Sequence, residues 1–148
     1  MGLYMIRVAV VGASRLSENE ELDARQFCGL KFNELRVDYG IMNVTIVSGG
    51  AKGVDSIAEE VAKSIGLGTE IFKPEVEQWE DEKGKIGYRT RNIKIAERCD
   101  ILYCLPIITR SEKCYHCKLD HQVGGGCWTL KQAKKLGKQT FLIPPIKR

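Results

Sequence analysis

Val47-Ser48-Gly49-Gly50-Ala51-Lys52-Gly53-Val54-Asp55-Ser56-Ile57-Ala58 runs from an apolar segment through three glycines into a helical repeat. Before it, Val44 to Val47 is β-branched and reads as a strand. After it, Val54, Ile57, Ala58, Val61, Ala62 and Ile65 recur at i, i+3 and i+4, and Gly66 and Gly68 close the helix. Glycines let a backbone approach an anion and take positive φ, while the first turn of a helix offers unpaired N–H groups and the positive end of its dipole. A strand, glycine turn and helix in this order predict a phosphate cradle. The ligand it implies is a nucleotide or something made from one. For a single cluster, a tight turn with a helix cap explains the same residues.

Working outward, Met5 to Val11 reads as a buried first strand, with a tight turn at Gly12-Ala13-Ser14-Arg15. Residues 18 to 38 set Leu22, Phe27, Leu30, Leu35 and Val37 among charges, which predicts a long amphipathic helix. Thr69 to Phe72 is a third strand ended by Pro74, and Glu75 to Ile86 is a polar loop. Helices are expected over Gly87 to Arg98 and Cys127 to Leu136, and strands over Asp100 to Leu105 and Gln139 to Ile143. Residues 107–123 form an irregular insertion that carries both histidines. Five strands alternating with four helices predict an α/β three-layer sandwich around a mainly parallel sheet. With 148 residues and no repeat or linker, the chain reads as one domain over 1–148.

The net charge of +4 comes from 23 basic and 19 acidic residues mixed along the sequence, which permits nucleic acid as a partner without demanding it. The N-terminus lacks a basic start followed by a long apolar core, and no apolar run approaches the ~20 residues that span a bilayer. A cytoplasmic protein with no membrane partner is therefore expected. Of six cysteines, Cys28, Cys99 and Cys104 sit inside apolar segments, whereas Cys114, Cys117 and Cys127 lie close together.

In an open α/β sheet the ligand crevice lies beyond the carboxyl ends of the strands, where strand order reverses. Gly12, Ser14 and Arg15 follow strand one, Ser48, Gly49, Gly50 and Gly53 follow strand two, and Gly124-Gly125-Gly126 opens the last helix. Two glycine-rich helix starts on one edge point to an anionic ligand. Neither the G-x-G-x-x-G dinucleotide pattern after strand one nor the G-x-x-x-x-G-K-[ST] phosphate loop is present, so NAD-dependent hydride transfer and P-loop ATP hydrolysis are not supported.

Taken in order, Ser48-Gly49-Gly50-Ala51-Lys52-Gly53-Val54-Asp55, Arg91-Asn92-Ile93-Lys94-Ile95-Ala96, Asp100-Ile101-Leu102, Gly125-Gly126-Cys127-Trp128-Thr129 and Gly137-Lys138-Gln139 resemble the SLOG superfamily. That group includes the DNA-processing protein A (Smf) proteins, the LOG phosphoribohydrolases and small stand-alone nucleotide-sensor-like proteins, which this chain is most similar to in size. The resemblance implies a Rossmann-like fold that binds a nucleotide, or its phosphoribosyl part, at the carboxyl edge of the sheet. It places Ser48, Gly49, Gly50 and Gly53 in a first glycine motif with Asp55 at the acidic position after it. Arg91 and Asn92 match an Arg-Asn pair, and Gly125, Gly126 and Thr129 match a second glycine motif. Arg15 stands where members carry a polar or basic residue. Physically, amides at Gly50 to Gly53 and Gly126 to Thr129 would hold phosphate oxygens, the hydroxyls of Ser48 and Thr129 would donate to them, Arg91 would add a charge-assisted fork, and Asp55 would face a ribose hydroxyl. Asp55 and Asn92 also make sense as caps of their own helices.

In the phosphoribohydrolases the second motif reads G-G-x-G-T-x-x-E, and its glutamate takes part in breaking the glycosidic bond. Gln132 occupies that position here, and a carboxamide does not activate water as a carboxylate does. A binding or sensing role follows, with a hydrolase using Asp55 or Glu80 as base the alternative. A second alternative is single-stranded DNA binding of the DNA-processing type, through Lys52, Lys83, Lys85, Arg89, Arg91 and Arg98, charges that a solvated face would also carry. Trp128, in place of the motif's glycine, either packs or stacks on a base, and Trp79 either lids the crevice or pins its loop. Superfamily members often pair, so a homo-oligomer is implied, with the apolar face of the first long helix as the candidate surface.

Cys114-Tyr115-His116-Cys117-Lys118-Leu119-Asp120-His121 places two thiols at C-x₂-C spacing, with Cys127 beyond. Cys114, Cys117, His121 and Cys127 would make a tetrahedral zinc site, with His116 as a substitute. Four protein ligands leave no open position, so zinc there would be structural. Reduced thiols in a surface loop are the alternative.

Overall fold

The computed structural model describes residues 5–79, 87–105 and 125–143. Among them, five strands alternate with four α-helices: β1 Ile6–Gly12, α1 Glu18–Tyr39, β2 Val44–Ser48, α2 Val54–Ile65, β3 Gly68–Ile71, α3 Tyr88–Arg98, β4 Ile101–Leu105, α4 Gly125–Lys135 and β5 Gln139–Leu142. The strands form one sheet in the order β3-β2-β1-β4-β5, parallel throughout. This is the Rossmann-like α/β sandwich that the alternation predicts. Element ends differ from the periodicity by a residue or two, and a short 3₁₀ turn at Ile41–Asn43, which no apolar pattern announces, joins α1 to β2.

β1 shows why the sandwich has two cores. Its side chains alternate: Ile6, Val8 and Val10 enter the cluster under α1 and α2, while Ala9 and Val11 enter the one under α3 and α4. A strand buried on both faces needs apolar residues at every position, and central β4 is likewise buried throughout. β3 and β5, at the edges, are four residues each and half-exposed.

α1 starts at a capping box: Ser17 N–H donates to Glu20 Oε1 at 2.8 Å, and Glu20 N–H donates to Ser17 Oγ at 3.3 Å. Glu18, Glu20 and Glu21 place negative charge at the positive end of its dipole. Ala24, Cys28, Phe32 and Leu35 are its buried face, whereas Leu22, Leu30 and Val37 remain more than 60% exposed on the opposite side. Burial pushes the Cys28 thiol up to about 12 and the Cys99 thiol up to about 11, so both behave as small apolar residues. No helix among the described residues is long and apolar enough to cross a membrane.

Strand order reverses between β1 and β4, and their carboxyl ends meet where Gly12 pairs with Leu105. This is the switch point at which a parallel sheet opens a crevice.

Candidate functional site

The loops after β1 and β2 and the start of α4 converge at that point, and glycine makes the convergence possible. Gly53 has φ +81°, and a Cβ there would overlap the Ala13 carbonyl oxygen and sit 2.7 Å from Ser14 Cα. The close approach lets Val54 N–H donate to Ala13 O at 3.0 Å, which ties the β2 loop to the β1 loop. Gly126, at the start of α4, lies so close to Gly12 that an added Cβ would meet Gly12 Cα and N at 3.0 Å. The two glycine motifs thus face one crevice through the β1 turn.

The cradle after β2 is not vacant. Asp55, at the start of α2, turns back, and Gly49 N–H donates to its Oδ2 at 3.2 Å, with the Ala51 N–H as a second donor. The carboxylate occupies the place an anion would take. Ser48, fully buried, donates from Oγ to Glu59 Oε1 at 2.7 Å and accepts from Gly50 N–H at 3.2 Å. Asp55 therefore closes its own loop here while remaining on the crevice lining.

Arg91 and Asn92 form the buried wall beside this loop. Arg91 Nη1 donates to Gly49 O at 2.6 Å and its Nε donates to Asn92 Oδ1 at 2.7 Å. The guanidinium also lies 5.3 Å from the ring centre of Tyr88, one turn earlier on α3. Burial lifts the Asp55 carboxyl to about 6, against the opposing pull of Arg91 and the two amides, and burial lowers the Arg91 guanidinium. Asn92 thus binds its neighbour's side chain instead of capping α3.

The crevice has a volume of about 1000 Å³. Gly12, Ser14 and Arg15 line it from β1; Gly49, Gly50 and Asp55 from the β2 loop and α2; Arg91 and Asn92 from α3; Gly126 and Thr129 from α4. Ser48 and Gly53 stand behind this surface and shape the loop. Gly125 begins α4. Of the proposed zinc ligands, Cys114, Cys117 and His121, with the substitute His116, fall outside the described residues. Cys127 is buried at the crevice, its Sγ 4.0 Å from that of Cys104. No cluster of three or more metal-ligating side chains occurs among the described residues. Gln132 lies half-buried on α4, while Glu80, Lys83 and Lys85 fall outside the described residues.

Lys73 and Tyr88 on the lining escaped the sequence reading, whereas Trp79 stood in it as a candidate lid. Lys73 follows β3 and joins Arg15 and Lys52 as an exposed cation on the lining, with Glu77 the acidic member nearby. Its position just past a strand end was the available signal. Tyr88 lines the floor beneath Arg91, and Tyr-x-x-Arg spacing on a helix could have paired them. Trp79, 43% exposed, lines the crevice from the loop after β3, and its ring meets that of Trp128 edge-on at 4.9 Å. Trp128 thus braces Trp79.

No family model and no curated protein matches this sequence. Solved structures do match it. DNA processing protein A from Streptococcus pneumoniae superposes with a TM-score of 0.64 at 18% identity, over 96% of this chain and 51% of that one. This chain shares its fold with DNA processing protein A. The Helicobacter pylori protein of the same name, whose structure concerns its single-stranded DNA binding mode, superposes with a TM-score of 0.56 at 19% identity, over 97% of this chain and 67% of that one. The chain spans about half the length of the streptococcal DNA processing protein A.

Proposed function

We propose that this chain binds single-stranded nucleic acid, DNA in the first instance, across the crevice at the carboxyl edge of its sheet. The observation that carries this is the pairing of exposed cations Arg15, Lys52 and Lys73 with the exposed ring of Trp79 on one open cavity of about 1000 Å³. Cations that track a backbone, together with an aromatic face on which a base stacks, are what single strands require. The Trp128 ring stands nearly perpendicular to that of Trp79, and Trp79 stays 43% exposed beside it, open to a stacking base. The helicobacter DNA processing protein A, which has this fold, binds single-stranded DNA, and that supports the reading.

A sealed nucleotide-sensing cradle fits the geometry less well, because Asp55 already takes the Gly49 and Ala51 amides. A free nucleotide is on this account a fragment of the strand, entering at the same cations and competing with it. Titration of fluorescein-labelled oligo(dT) tests the proposal. Binding should weaken steeply as salt rises, because phosphate contacts release counterions. Trp79→Ala should weaken it about 5- to 150-fold, the ~1–3 kcal/mol of one stacked base. Salt-independent binding, or a Trp79→Ala protein that binds like wild type, would overturn it.

A further inference from the structure

The net charge conceals a division between the two helical layers. α1 and α2, on one face of the sheet, carry nine acidic and four basic residues. α3 and α4, on the other, carry seven basic residues and one acidic residue, Glu97. Packing fixes this division in space, since α1 and α2 cover one core and α3 and α4 cover the other. Lys94 projects outward from α3, and Lys131, Lys134 and Lys135 project outward from α4, all four exposed and without an ion pair among the described residues. Arg98, by contrast, is held by Glu70 at 2.8 Å.

We infer that the α3/α4 face is a second contact surface for the same polyanion, over which a nucleic-acid strand continues after leaving the crevice. This rests on the strand-binding reading above. Continuity supports it: α3 and α4 both begin at the crevice, where Arg91 and Thr129 line it, and both run away from it across the basic face. α3, 11 residues long, extends this track by about 16 Å. Clustered like charge on one face raises the local concentration of an opposite polyion and steers its approach. The acidic α1/α2 layer repels the same strand, which gives the molecule one binding side. Four flexible lysines bind phosphate as point charges without reading sequence, as a continuing track needs.

The test compares labelled dT5, short enough for the crevice alone, with dT20, on wild type and on Lys131→Ala/Lys134→Ala/Lys135→Ala over a salt series. These lysines are exposed, so the variant should keep the wild-type fold, checked by its unfolding curve. The salt slope for dT20 should fall by about 2, as three lost phosphate contacts require at ~0.7 each, and its affinity should drop on the order of 100-fold at 0.1 M salt. Binding of dT5 should not change. If dT20 keeps its wild-type slope in the variant while dT5 binds, the second surface is refuted and the crevice stands. If wild type ignores dT5 yet binds dT20 with lysine-dependent slope, the crevice reading fails and the basic face stands. If the variant loses dT5 and dT20 equally, or loses binding only to phosphatidylserine vesicles, the inferred track is overturned.

Discussion

Replacing Asp55 with asparagine should change how stability depends on pH. The Asp55 carboxyl ionises near 6 in the fold, against an ordinary value of 3.8, because burial outweighs Arg91 and the two donating amides. That gap of about 2 pH units corresponds to about 3 kcal/mol. The sign follows from proton uptake. Between these two values the native state holds the Asp55 proton more often than the unfolded chain, so rising pH lowers stability across the window and leaves it flat above the folded value. Asparagine keeps the size and one acceptor oxygen for Gly49 N–H but does not titrate. The assay is urea unfolding of both proteins at pH 4.5 and pH 7.5, because subtracting one from the other cancels every other titrating group. Wild-type stability relative to Asp55→Asn should fall by about 2 kcal/mol from the lower pH to the higher, most of the full window. A difference that stays constant, or grows with pH, would refute the claim that Asp55 is a buried charge closing the β2 loop.

Arg91→Ala removes the charge that opposes the burial of Asp55, so the Asp55 carboxyl should titrate still higher, as read by carbon-detected NMR; an unmoved titration would break the proposed coupling. Gly53→Ala should lower stability by about 3 kcal/mol or more in urea unfolding, since it combines an unfavourable positive φ with overlap against the β1 loop backbone; a loss below ~1 kcal/mol would contradict the loop interlock. Cys28→Ala should leave the pH dependence of strand binding unchanged in anisotropy titrations across pH 6 to 8, because burial pushes that thiol up to about 12 and it lies under α1, off the crevice lining; a changed profile would contradict its role as a small apolar core residue.

Much of the fold was legible because β1 and β4 are buried on both faces and spell continuous apolar runs, while α2 shows an unbroken i, i+3, i+4 repeat closed by Gly66. The 3₁₀ turn at Ile41–Asn43 was not, because three residues have no period to read. Within the site, the order of the glycine motifs located the crevice, since glycine is required wherever loops cross closely. What sequence left open was which anion the first loop holds. Asp55 and a ligand phosphate compete for the same amides, and only geometry shows that the carboxylate turns inward. Lys73 and Tyr88 were missed for a related reason: a lone lysine after an edge strand and a tyrosine in a helical first turn are ordinary surface residues until neighbouring loops bring them to one cavity. Trp79 and Trp128 each admitted a packing reading, and their mutual contact at 4.9 Å joins two segments far apart in sequence.

The most direct measurement of strand binding at this crevice is ultraviolet cross-linking of oligo(dT) containing 5-bromodeoxyuridine, followed by mass spectrometry of the adducts. Cross-links should map to Trp79 and Tyr88, the aromatic residues that line the cavity among the described residues. Adducts confined to α1 and α2, or none at low salt, would contradict it.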